Sequence, residues 1–80
     1  MVNARAPREI ALDLRGLKCP LPALRARREL AGMQPGDVLA LEATDPMAAI
    51  DIPHMVNETR NLLLAHSAAM GVLSFRIEKR

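Results

Sequence analysis

At 80 residues, half of them hydrophobic, the chain has the size of one small domain, burying only about 60% of its unfolded surface. Its single cysteine excludes an internal disulfide and a cysteine-rich metal site, and its single aromatic, Phe75, offers no stacking platform, which speaks against direct nucleic-acid binding. With a net charge of only +2, no apolar run of membrane-span length and no signal-peptide core, a cytoplasmic protein is expected, without membrane contact or a deep substrate pocket.

Residues Met1 to Arg8 carry no period and read as a flexible tail, leaving 9–80 as the domain. Ile10, Leu12 and Leu14 alternate with Ala11, Asp13 and Arg15, the pattern of a half-buried strand, and Gly16 then lets the chain turn.

Cys19 follows where a strand should give way to a helix, with Pro20 and Pro22 directly after it. The opening N–H groups of a helix have no intrahelical acceptor, so proline is tolerated there. Pro20 suits the first helical position, which makes Cys19 the N-cap. A cysteine there sits at the positive end of the helix dipole, with Arg15 and Lys18 nearby, and these favour the nucleophilic thiolate. The two prolines remove N–H groups that a phosphate cradle would need. The plainer alternative is a small buried hydrophobe, the common fate of a free cysteine.

The first helix is expected over Pro20 to about Ala31. Ala23, Ala26, Leu30 and Met33 share one face, Arg25, Arg28 and Glu29 lie opposite, and Arg27 borders them. Gly32 suits the C-cap, and Gln34-Pro35-Gly36-Asp37 is turn chemistry. Val38 to Thr44 reads as an inner strand covered on one side. Strand, helix and strand form a βαβ unit, so the strands should be parallel, with a right-handed crossover. Their C-terminal ends then share one edge, which brings the loop of Gly16 to Cys19 beside Thr44-Asp45-Pro46. Asp45 could tune the thiol or hold a basic residue; as an Asp before Pro it could equally be a turn or helix cap.

Ile52, Met55, Val56 and Thr59 share helical spacing, and Asp51 with Pro53 suggests the start of that helix. His54 and His66 have no companion ligands, so no metal is expected. Leu62 to Ala69 reads by pattern as a continuing helix, and after Gly71 the alternation of Leu73, Phe75 and Ile77 gives a last strand. The cluster Arg15, Lys18, Arg25, Arg27 and Arg28 is either a solvated face or a docking surface for an acidic partner.

Four segments in order, Leu12 to Pro22 with its Cys-Pro-x-Pro core, Met33 to Asp37, Thr44-Asp45-Pro46 and Asp51-Ile52-Pro53, resemble the signature of the TusA (SirA-like) sulfur carrier proteins. The resemblance implies an α/β two-layer sandwich of order βαβαββ, a four-stranded mixed sheet with two helices on one face. On that fold Leu64 to Ala68 becomes a third strand, joined by a hairpin through Met70-Gly71 to the last. It also implies a sulfur relay without a cofactor, the sulfur being carried covalently as a persulfide on Cys19. Gly16, Pro20, Pro22 and Asp45 would support the motif, and Lys18, Arg27 and Arg28 would dock partners. The donor would be a cysteine desulfurase or other sulfurtransferase. The acceptor would be a sulfurtransferase complex of a tRNA thiolation or sulfur-oxidation pathway. Separately from the resemblance, a monomer is expected.

Two positions depart from the family pattern: Arg60-Asn61 stands where Gly-His or Gly-Asn is common, and Met55 where many members have an aromatic. Both are expected on the partner surface. Three other readings compete: an autonomous sulfurtransferase acting on a small donor such as thiosulfate, an interaction or regulatory module with an incidental cysteine, and a tRNA-associated protein.

Overall fold

The computed structural model describes residues 6–80. The first five residues of the expected tail lie outside the described residues. The elements are β1 (Glu9–Leu14), α1 (Leu21–Ala31), β2 (Val38–Ala43), α2 (Ala48–Glu58), β3 (Leu62–Ala69) and β4 (Val72–Glu78). The sheet order is β1-β2-β4-β3, with β1 and β2 parallel and the other neighbouring pairs antiparallel. This is the βαβαββ two-layer sandwich that the family resemblance implies.

Alternation along the strands builds one core. Leu12 and Leu14 of β1 stand level with Leu41 and Ala43 of β2, and these with Phe75 and Leu73 of β4. All six point to the helices, so Leu14, Leu41, Ala43 and Phe75 are buried and Leu12 and Leu73 pack at the margin. α1 contributes Ala26 and Leu30 and lies over β1 and β2; α2 contributes Ala48, Ile52, Met55 and Val56 and reaches β3 and β4. The other face of the sheet carries the alternate residues. There Arg15 pairs with Asp13 at 2.9 Å and Arg76 with Glu9 at 2.7 Å.

The end of the sheet remote from Cys19 is closed by a buried carboxylate. Asp37 is fully buried; its Oδ1 accepts the Arg8 N–H and its Oδ2 the Gln34 N–H, both at 3.0 Å. A buried charge is tolerated when such hydrogen bonds satisfy it. Arg8 also gives its carbonyl to Val38 N–H, so the chain is anchored one residue before β1 begins.

Beyond the start of α1, three boundaries differ from those read off the sequence. The residues Leu62 to Ala69 form a strand, not the helix that their pattern suggests. β3 is an edge strand exposed over most of its length, so no burial alternation marks it, and a bulge at Leu64 interrupts its register. Met70 and Gly71 both have positive φ, 52° and 79°, the backbone of the tight hairpin turns whose twist matches paired strands. α2 starts at Ala48, well before Asp51 and Pro53, leaving Pro53 inside the helix. β2 ends one residue early, which frees Thr44 for the loop.

Candidate functional site

Cys19 is exposed in the loop between β1 and α1. The Cys19–Pro20 peptide bond is cis, and α1 begins at Leu21 with Pro20 as its N-cap residue and Pro22 in the first turn. The helix thus starts one residue later than predicted, and Cys19 is not its N-cap. Leu21 N–H turns back to the Lys18 carbonyl at 2.8 Å. The prolines offer no N–H, so this helix start is a stiff mount and not a cup for anions.

The parallel pairing of β1 and β2 brings their two following loops together. Gly16, with φ +84°, takes a left-handed conformation that glycine adopts without a Cβ penalty, and its N–H donates to Thr44 Oγ1 at 2.8 Å. Asp45 Oδ2 accepts the Cys19 backbone N–H, while its Oδ1 accepts Met47 N–H at 3.0 Å. Asp45 thus closes the turn into α2, as an Asp before Pro can, and also fixes the cysteine backbone. Those two N–H donors, with Lys18 nearby, hold its carboxyl below the usual range.

The sulfur itself meets a residue that the sequence placed at a helix start and in the Asp51-Ile52-Pro53 segment, with no role at the thiol. Cys19 Sγ donates to Asp51 Oδ2 at 2.9 Å. Asp51 is half-buried in the first turn of α2, on a helix whose inner face is locked into the core. The hydrogen bond to Asp51 is the largest influence on the thiol, followed by desolvation and by the charges of Asp51 and Asp45, and all of them push its pKa up. This corrects the expectation of a favoured thiolate. The charges that act on it are those of two carboxylates, while Arg15 is held by Asp13 and Lys18 acts on Asp45. Asp51 lies 32 positions from Cys19, so nothing local links it to the thiol, although it belongs to a segment of the family signature. The available signal was topological, since a helix that follows β2 should start at the edge where Cys19 sits.

Of the basic residues proposed for docking, only Lys18 adjoins the thiol. Lys18 lines a hollow with Gly16, Thr44 and Asp45. Arg27 and Arg28 are exposed about 9–11 Å along α1 from its start at Leu21 by helical rise, and Arg27 faces Glu58 of α2 at 3.7 Å. Met55 is 3% exposed and belongs to the core, not to the partner surface where it was expected; Arg60 is exposed, with φ +59°. His54 lies 3.6 Å from Glu58, and His66 stacks beside Phe75. Around the helix starts stand Leu21, Leu24, Met47 and Ile50, all largely exposed despite their apolar side chains.

The sequence pattern of the family described as Sulfurtransferase TusA matches residues 10–79. The chain belongs to the TusA family. Among relatives, it is 45% identical over 69 residues to a Neisseria meningitidis serogroup A protein described as a candidate sulfur carrier, covering 86% of this chain and 93% of the relative. It is 41% identical over 68 residues to the sulfur carrier protein TusA of Allochromatium vinosum, covering 85% and 90%. The crystal structure of a SirA-like protein from Desulfitobacterium hafniense has the same fold, with TM-score 0.76 at 22% identity over 86% of this chain and 95% of that one. All six elements of this TusA-family chain fall within the matched span apart from Glu9 at the start of β1.

Proposed function

We propose that this TusA-family protein carries sulfur as a persulfide on Cys19, accepting it from a donor such as a cysteine desulfurase and passing it to an acceptor sulfurtransferase. One observation carries the reading: the only cysteine is exposed at the end of a rigid two-loop mount, with its backbone held by Asp45. A sulfur handed between proteins needs reach and a fixed base, not an enclosing pocket. In the transfer, the Cys19 thiolate attacks the outer sulfur of the donor persulfide. The new Sγ–S bond forms as the donor S–S bond breaks, and the departing donor thiolate takes up the proton that Cys19 gave away. Nothing is oxidised or reduced overall.

Leu21, Leu24, Met47 and Ile50 would supply the apolar contact for a protein partner, with Lys18 beside the thiol and Arg27 and Arg28 further along α1. The proline-blocked helix start counts against a stand-alone enzyme for thiosulfate, since it lacks the free N–H groups that an oxyanion would need. The recipient pathway would be tRNA thiolation or sulfur oxidation, in a cytoplasm reducing enough to keep Cys19 free.

The test is intact mass after incubation with a cysteine desulfurase and cysteine. Wild type should gain one sulfur atom, lost on reduction, and Cys19→Ser should gain none. If wild type stays unmodified beside an active desulfurase and several other donors, the carrier reading falls and an interaction module with an incidental cysteine takes its place.

A further inference from the structure

Two carboxylates beside a nucleophilic sulfur are an odd provision, because each opposes the thiolate that must attack. Asp45 is explained by the backbone, since its oxygens accept the N–H groups of Cys19 and Met47. Asp51 is different: its bond is to the sulfur, at 2.9 Å. In that bond the sulfur is the donor and Asp51 Oδ2 the acceptor, so the sulfur in it is an S–H and not a thiolate, which has no proton to give. The carboxylate stands in the first turn of a helix whose Ala48, Ile52, Met55 and Val56 are buried, so it is held in place by packing.

We propose that Asp51 is a positioning residue that holds the sulfur of the empty carrier protonated, so that Cys19 attacks only after a docked donor has displaced or neutralised that carboxylate. This regulation of the carrier site rests on the reading of Cys19 as the sulfur-bearing residue. When Asp51 lets go, the proton leaves Sγ, the thiolate takes the donor's outer sulfur, and the departing donor thiolate recovers a proton. The charged groups facing the sulfur are Asp51 from α2 and Asp45 from the loop before it; Lys18, on the cysteine's own loop, acts on Asp45. After loading, the reactive sulfur lies one bond further out. An anionic persulfide there is repelled by both carboxylates, towards solvent and the next thiol. The same residue would thus keep the empty state quiet and the loaded state presented.

The experiment is the pH profile of Cys19 alkylation by iodoacetamide on the full chain, for wild type, Asp51→Asn and Asp51→Glu. Asp51→Asn should react roughly threefold to tenfold faster at neutral pH, its profile displaced to lower pH, because it keeps the shape and loses the charge. Asp51→Glu keeps the charge and should stay within about twofold of wild type. A purely structural role for Asp51 would not move the profile. The proposal is overturned if the Asp51→Asn and wild-type profiles superimpose. It is equally overturned if wild-type Cys19 titrates at or below an unstructured cysteine peptide, a comparison that stands even if Asp51→Asn does not fold. Sulfur loading followed by mass on the same samples separates the two readings. Loading with superimposed profiles removes the gate alone, and displaced profiles without loading remove the carrier alone.

Discussion

Asp37→Ala tests whether the fold is closed at the end remote from the sulfur by a buried carboxylate. The side chain is fully buried and accepts backbone N–H groups from Arg8 and Gln34, each at 3.0 Å. Hydrogen bonds to a charged group are worth about 1.5–3 kcal/mol each, which for two gives about 3–6 kcal/mol. The Arg8 guanidinium, 3.6 Å away and more than half exposed, adds little. Both N–H donors lie near the surface and can recover water once the carboxylate is gone, so the lower end applies, about 3 kcal/mol. A domain of this size has in total about 4–12 kcal/mol. Urea unfolding followed by far-ultraviolet circular dichroism should show the midpoint falling by a quarter or more of its value. Cys19 alkylation in the folded state should be unchanged, because the parallel pairing of β1 and β2 puts the thiol at the other end of the sheet. A loss below about 1 kcal/mol would mean that Asp37 is not a structural anchor, and the reasoning would fail.

Three further outcomes follow from the geometry. Arg60 adopts φ +59°, where an L side chain is strained and glycine is not, so Arg60→Gly should raise stability by about 0.5–1 kcal/mol in the same urea assay. The Cys19 pKa is raised on folding, so the protonated thiol contributes stability that is fully present below the unfolded thiol pKa, about 8.5, and is lost as pH rises through the folded value. The alkaline limb of the stability curve should therefore be shallower in Cys19→Ser. Asp13 behaves in the opposite sense: hydrogen bonds from Arg15 hold its carboxyl down at about 2, so its contribution is present above about pH 4 and fades as pH falls towards that value. Asp13→Asn should flatten the acid limb over that window, by an amount reduced by solvent screening.

Much of this was legible in the residues, for identifiable reasons. The alternation in β1 and β4 and the 3.6-residue spacing of α1 report burial directly, because each of those elements has one face in the core. β3 defeats the same logic. At the edge of the sheet it buries almost nothing, so Leu62 to Ala69 carries no periodicity to read, and its state is decided by pairing with β4 and by the Met70–Gly71 turn. The motif around Cys19 was readable because prolines and glycine constrain the local backbone. Its electrostatics were not, because Asp51 arrives from another element through the topology. Local sequence suggested cations beside the thiol; three-dimensional proximity supplied anions. Met55 was misplaced although helical spacing puts it with Ile52 and Val56, and this stripe faces inward and is buried.

The thiol's surroundings exist only when two loops far apart in sequence have met, which gives the molecule a reporter of its own folded state. Without tryptophan or tyrosine, the chain has no useful intrinsic fluorescence. Its single cysteine can serve instead. In the unfolded chain Cys19 has neither Asp45 on its N–H nor Asp51 on its sulfur and regains the reactivity of an ordinary thiol. The rate of modification by a small electrophile then reports whether the two loops are assembled around the thiol, read by mass without any added label. A partner that docks there would slow the modification by shielding the sulfur or speed it by drawing Asp51 away, so the direction of the change distinguishes capture from activation.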